Sequence, residues 1–235
     1  KLNLVPRVTR FYTSKPRSQR CTIYMMGGDE GSSAAAVAIS VSVGARKVLL
    51  EDVLLVAVHK ARVDLHPASL EKACPCASNK KGVEDKAFDI SDISDVPADK
   101  DGALSETAAR ATMFARVASL MNGRSGVRKE VIVLLCDMLN KGVVPLLARG
   151  ESGGKGDGPA LAKALLGEGL CLFQGEVRPL LEAASACGLS PLSMLTPGEG
   201  KTIALGNFVG VGVAAMAAGA AANAIEIADG TLAMN

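Results

Sequence analysis

Apolar and polar positions alternate with two different periods along this chain, and the change of period marks the elements. In "VAISVSVG" (37–44) the alternation is two-residue and ends at a glycine, which predicts a short strand and a turn. In "LLEDVLLVAVHKARV" (49–63) the apolar positions Val53, Val56, Ala57 and Ala61 follow a helical stripe behind the acids Glu51 and Asp52, predicting a helix over 50–62. His66-Pro67 opens a second helix, "PASLEKAC", and His59 falls on the outer surface of the first. "SETAARATMFARVASLMNG" (105–123) reads as a helix over 105–122. Ser105 caps it, Phe114, Val117, Ala118 and Met121 share one face, and Gly123 stops it. The next run, 125–142, repeats that grammar, predicting a helix over 127–141 capped by Ser125, with Val131, Leu134, Leu135 and Met138 inward and Gly142 closing.

"LCLFQGEVR" (170–178) predicts two strands about Gln174-Gly175, and "PLLEAASACG" (179–188) a helix. A long apolar stretch then predicts one helix over 202–228. "FVGVGVAAMAAGAAANAIEIA" (208–228) has the length of a membrane span, and Gly206 and Gly210 have the spacing of close helix packing. Its Ala/Gly richness and the absence of a flanking basic cluster favour a buried bundle helix of a soluble protein, with no membrane span. Residues 77–102 are polar and acid-rich without apolar periodicity, and read as a loop.

Composition narrows the class. Of the 235 residues 49% are hydrophobic, 3% aromatic and none Trp, which favours closely packed helices and a mainly α fold. Residues 1–36 form a basic arm and linker, and 37–235 the folded domain. A net charge of +2 excludes a molecule that binds nucleic acid over its whole surface. The positive charge is local instead. Residues 1–20 contain Lys1, Arg7, Arg10, Lys15, Arg17 and Arg20 and no acid, the pattern of a mitochondrial matrix transit region. Retained, such an arm contacts RNA phosphates through Arg7, Arg10, Lys15, Arg17 and Arg20 while Phe11 and Tyr12 stack on bases. Six scattered cysteines and two histidines have no zinc spacing, so no metal and no cofactor is expected.

"GESGGKGDG" (150–158) invites a phosphate-loop reading, but the pattern needs a glycine where Arg149 stands and a hydroxyl where Gly156 stands. Its context supplies another ancestry. "LEDVLLVAVHKARVDLHPASLEKA" (50–73), "SGVRKEVIVLLCDMLNKGVVP" (125–145) and "LLGEGLCLFQGEVRPLLEAASACGLSPL" (165–192) together resemble the aromatic amino-acid ammonia-lyases, histidine ammonia-lyase most of all, over residues 37–235. The resemblance implies the N-terminal part of a mainly helical fold, with one or two short β-hairpins leading into long bundle helices that assemble as a tetramer. It also implies an electrophile made by cyclising an Ala-Ser-Gly triad. Aligned on the following Gly-Asp, the triad positions are Gly154, Lys155 and Gly156, and lysine has no β-hydroxyl to lose. Aligned on Leu-Gly-Glu-Gly, they are Glu151, Ser152 and Gly153, which keep the serine.

Other family positions differ. The catalytic tyrosine loop would lie near 74–95, where there is no tyrosine, and the L-x-N-G asparagine falls on Leu205 with Asn207 out of register. The sequence stops at Asn235, before the family's later tyrosine, arginine, phenylalanine and glutamate. The expectation is therefore a catalytically inactive, ammonia-lyase-like structural subunit. Its partners would be protein subunits of a large mitochondrial assembly such as the mitochondrial ribosome, with ribosomal RNA at the arm. The alternatives are an ammonia-lyase-type enzyme of altered mechanism, built on the serine register or on Lys155 as an amine nucleophile, and a regulatory partner of a full-length lyase.

Overall fold

The structure, a computed structural model, describes residues 39–74, 102–148 and 157–233. The basic arm and the polar segment 77–101 lie outside the described residues. The first unit is a parallel strand pair, β1 (Ser40–Val43) and β2 (Arg62–Leu65), joined through α1 (Leu50–Ala57), with Val41 opposite Val63 and Val43 opposite Leu65. Asp52, 2% exposed, starts α1: it accepts from the Leu49 N–H at 2.9 Å and holds the Arg46 guanidinium at 2.5 and 2.7 Å. Here the expected helix over 50–62 is corrected. It ends at Ala57, turns through Lys60 at φ +53 and re-emerges as β2. Val56, Ala57 and Ala61 do have helical spacing, but Val63 gains ladder bonds and full burial against β1, a partner that local periodicity does not reveal. His59 sits exposed in that turn.

α2 (Pro67–Ala73) begins as expected with proline in its first turn. At the centre lie α3 (Glu106–Leu120) and α4 (Lys129–Lys141). Ser105 Oγ accepts from the Ala108 N–H at 3.3 Å, the predicted cap, and Gly123 follows α3 at φ +74. Phe114, Met113, Leu120, Ile132, Leu135, Met138 and Leu139 have almost no exposure; each contributes roughly 1.5–3 kcal/mol by leaving water. Two cations share this core, Arg110 and Arg116. Arg110 Nε and Nη1 each donate at 3.0 Å, to the carbonyls of Val56 and Leu139 near the ends of α1 and α4. One guanidinium thus serves the negative ends of two helices.

The cap expected from Ser125 is also corrected: α4 starts after Arg128, whose N–H donates to the Glu199 carboxylate at 2.9 Å. That acceptor lies 71 positions away, beyond the reach of a local capping pattern. Gly142 closes α4 in the left-handed region as predicted. β3 (Val144–Pro145), α5 (Asp157–Leu165), β4 (Leu170–Phe173), β5 (Glu176–Pro179) and α6 (Leu180–Ala186) follow. β4 and β5 form the predicted hairpin about Gln174 and Gly175, at φ +53 and +85, with β3 antiparallel on the other side of β4.

The chain ends in α7 (Pro197–Ala204) and α8 (Phe208–Ala233). A single helix over 202–228 was expected; the chain breaks at 205–207, with Gly206 at φ +130. Burial of α8 is corrected as well. Phe208, Gly212 and Gly219 are its buried residues, and Ile225, Ile227 and Leu232 stand exposed. Among the described elements α8 packs chiefly on α3 and α1, which it meets through glycine: a Cβ on Gly212 would stand 2.6 Å from the Thr112 nitrogen, and one on Gly219 would stand 2.5 Å from Leu54. Length and a mean hydropathy of 1.8 over its most apolar window also suit a bilayer, by composition alone.

Candidate active site

Two chain segments named from the sequence arrive at one place. Ala148, just before the glycine-rich stretch, bridges to Ala103 beside a 2.8 Å bond from the Leu104 N–H to the Leu147 carbonyl. The last two residues of the stretch open α5. There Gly158 lies so close to the end of α7 that an added Cβ would overlap the Ala204 carbonyl and stand 2.8 Å from the Ala204 Cα. The next residues, 205–207, form the elbow between α7 and α8. Gly154, Lys155 and Gly156, and the alternative triad Glu151, Ser152 and Gly153, lie outside the described residues; Gly158, the last residue of the same stretch, packs against the end of α7. The proposed RNA-contact residues Arg7, Arg10, Phe11, Tyr12, Lys15, Arg17 and Arg20 also lie outside them.

Leu205, the aligned position of the family asparagine, is half exposed and makes the backbone turn. Asn207 stands two residues later at the start of α8, exposed, with its carbonyl accepting from the Val211 N–H at 3.0 Å. Its carboxamide lies over Gly210, where a Cβ would be 3.0 Å from the Asn207 Cγ. The Gly206/Gly210 spacing read as helix-packing grammar therefore has a different use. Gly206 makes the elbow, and Gly210 makes room for the amide of Asn207.

The elbow is fixed from two sides. Thr196 and Glu199 form a capping box at the start of α7: the Thr196 N–H donates to the Glu199 carboxylate at 3.0 Å, and the Glu199 N–H donates to Thr196 Oγ1 at 3.4 Å. Glu199 also accepts from Arg128 Nε at 2.8 Å, while Arg128 Nη2 donates to the Met194 carbonyl at 2.9 Å. Burial would push the Glu199 carboxyl up, but the bonds from the Arg128 side chain and from the Thr196 and Arg128 backbones outweigh it and hold it below its ordinary value. On the other side Arg116, 6% exposed, donates through Nη2 to the Thr202 carbonyl and lies 4.8 Å over the Phe208 ring. Burial lowers its pKa to about 10.

Sequence reasoning named Arg128 only as a letter of S-G-V-R, set Asn207 aside as out of register, and passed over Glu199 and Arg116. T-P-G-E was a legible capping box. Nothing local marks Arg116, one of two buried arginines on α3. Among the described residues Cys74, Cys136, Cys171 and Cys187 are free thiols, and no group of three or more His, Cys, Asp or Glu has metal-site geometry. Burial raises the pKa of Cys136 to about 12 and that of Cys171 to about 11.

With this geometry in hand, comparison with known proteins is informative. A sequence model of the aromatic amino acid lyase family matches residues 100–235. Histidine ammonia-lyase of Koribacter versatilis is 43% identical over 95 residues, 39% of this chain and 18% of that protein. Probable histidine ammonia-lyase of Halobacterium salinarum is 36% identical over 130 residues, 54% of this chain and 25% of that protein. Among solved structures, tyrosine aminomutase of Streptomyces globisporus superposes with a TM-score of 0.65 at 25% identity, over 77% of this chain and 39% of that one. Histidine ammonia-lyase of Trypanosoma cruzi superposes with a TM-score of 0.63 at 18% identity, over 76% and 40%.

The matches span a quarter or less of these curated relatives. They overturn the expectation of a non-enzyme, because the relatives are named as ammonia-lyases. That expectation counted a tyrosine loop before residue 100 and positions after Asn235, which the match does not cover, beside Lys155 and Leu205, which it does. The mainly helical fold and the family-model match over residues 100–235 agree, and the chain belongs to the aromatic amino acid lyase family.

Proposed function

We propose that this chain carries part of the active site of an ammonia-lyase acting on histidine or a related aromatic amino acid. The observation that carries this reading is the contact of Gly158, the last residue of the glycine-rich stretch, with Ala204 at the end of α7, beside the elbow bearing Asn207. The residues fit an electrophile formed from the chain in one register only. Ser152 has the β-hydroxyl that cyclisation must expel and Gly153 follows it, whereas Lys155 has no such leaving group. When formed, that group supplies an electrophilic methylidene carbon that draws electrons from the amino acid. The residues of this chain provide its setting. Asn207 offers an exposed carboxamide, donor and acceptor together, at the N-terminus of a helix whose partial positive charge favours developing negative charge. The Glu199–Arg128 clamp holds α7 against the start of α4, so the elbow has a rigid base. Proton abstraction and recognition of the substrate carboxylate belong, in this reading, to groups outside these residues.

The test is the mass of the peptide spanning residues 150–155, released from the purified protein. The expected mass is lower than the sequence mass by two waters, with the loss abolished by Ser152→Ala. An unmodified mass in the wild-type protein would overturn the reading. A mitochondrial location and RNA contact by the arm are further proposals, supported by the composition of residues 1–20.

A further inference from the structure

Arg116 flanks the α7–α8 elbow, and its surroundings are unusual for a core residue. It is a cation 6% exposed, and no carboxylate pairs with it among the described residues. Its Nε is buried without a hydrogen-bond partner. Its Nη1 would stand 3.4 Å from a Cβ on Gly206. Its Nη2 donates to Thr202, in the last turn of α7, and its carbon lies over the ring of Phe208, the first residue of α8. Every contact that offsets the desolvation of this charge thus falls on the three-residue break or on the helix ends that flank it. A core needing only volume at this position is better served by Met or Leu, which bury no charge.

We propose that Arg116 is the positioning residue of the α7–α8 elbow, and that by clamping Thr202 to Phe208 it fixes where Asn207 stands at the start of α8. The physical reason is that Gly206 and Asn207 let the helix break here but do not set the angle between α7 and α8. A planar guanidinium takes one carbonyl edge-on and one aromatic ring face-on at the same time, at a fixed angle to each other. A helix continuing through 205–207 would move Thr202 and Phe208 out of that angle. Gly206 completes the device: at φ +130 it adopts a conformation that side chains oppose, and a Cβ there would press on Nη1. Thr112, one turn earlier on α3, supports the same approach through its contact with Gly212.

The role toward the glycine-rich stretch rests on the proposed function; the role in the elbow does not. The experiment therefore measures both on the full chain. Hydrogen exchange at the amides of 208–211 is compared in wild type, Arg116→Lys and Arg116→Met, with the amides of α4 as the reference. The mass of peptide 150–155 is read from the same samples. Arg116→Met should speed exchange at 208–211 at least tenfold with α4 unchanged, and should lower the cyclised fraction. Arg116→Lys, which keeps the charge but not the plane, should fall between. If Arg116→Met does not fold, Phe208→Leu, which removes only the ring face, should give about a threefold local increase. Wild-type exchange at 208–211, or a uniform increase that includes α4, would overturn the elbow role. A local increase with an unchanged cyclised fraction would overturn the link to the site. If the wild-type peptide is unmodified, the reading of the triad fails, and the exchange data alone decide the elbow.

Discussion

Gly158→Ala is the sharpest perturbation of the site that leaves its chemical groups intact. The added methyl would overlap the carbonyl of Ala204 and approach its Cα to 2.8 Å, whereas ordinary contact begins near 3.4 Å. The obstacle is backbone and cannot rotate away, so α5 must withdraw from α7 by on the order of 1 Å. Overpacking of this kind costs about 1–3 kcal/mol, against a gain of up to about 1 kcal/mol in helix propensity. A net loss of about 1–2 kcal/mol lowers Tm by roughly 2–8 °C in a chain of this size. The paired control is Gly198→Ala in α7, where a Cβ meets nothing within 4 Å. It carries the propensity gain without the collision, so it should hold or raise Tm. Calorimetry on both variants gives the stability, and the mass of peptide 150–155 reports whether the stretch remains in place. A Gly158→Ala protein as stable as Gly198→Ala, with an unaltered peptide, would refute the claim that this contact sets the site.

Glu199→Ala removes the acceptor of two backbone N–H groups and of Arg128 Nε, and should cost about 2–4 kcal/mol in urea unfolding. The Glu199 carboxyl is depressed in the folded state, so its contribution is present above the ordinary carboxyl value of 4.5 and is lost as pH falls below it; acid titration of wild type against Glu199→Gln should show that difference. Cys136 and Cys171 are shifted the other way. Their contribution is complete below the ordinary thiol value of 9.0 and is lost as pH rises toward about 12 and about 11, so Cys136→Ala should flatten alkaline destabilisation, and native Cys136 should resist alkylation at pH 8. Arg110→Met, which takes the donor from the Val56 and Leu139 carbonyls, should destabilise the chain by about 2–4 kcal/mol, measured by thermal unfolding.

Residue spacing alone determined the elements whose causes are local. Ser105 caps α3, Pro67 starts α2, Gly142 ends α4, and Gln174-Gly175 turns the β4–β5 hairpin, because each acts within a few residues of itself. The family, too, was legible in S-G-V-R, L-L-G-E-G and Q-G-E taken in order. Tertiary structure decided wherever the deciding partner is remote in sequence. The stretch through Val63 became a strand because β1 lay ready to pair with it, and α4 starts at Arg128 because Glu199 arrives from α7. The apolar run after Ile203 became two helices because of Gly206 and a buried arginine on α3. Gly158 looked like one more loop glycine, and only the approach of Ala204 shows why no larger residue fits there. Spacing reports what a segment can do with its neighbours in the chain, whereas a site is made by groups that meet across it.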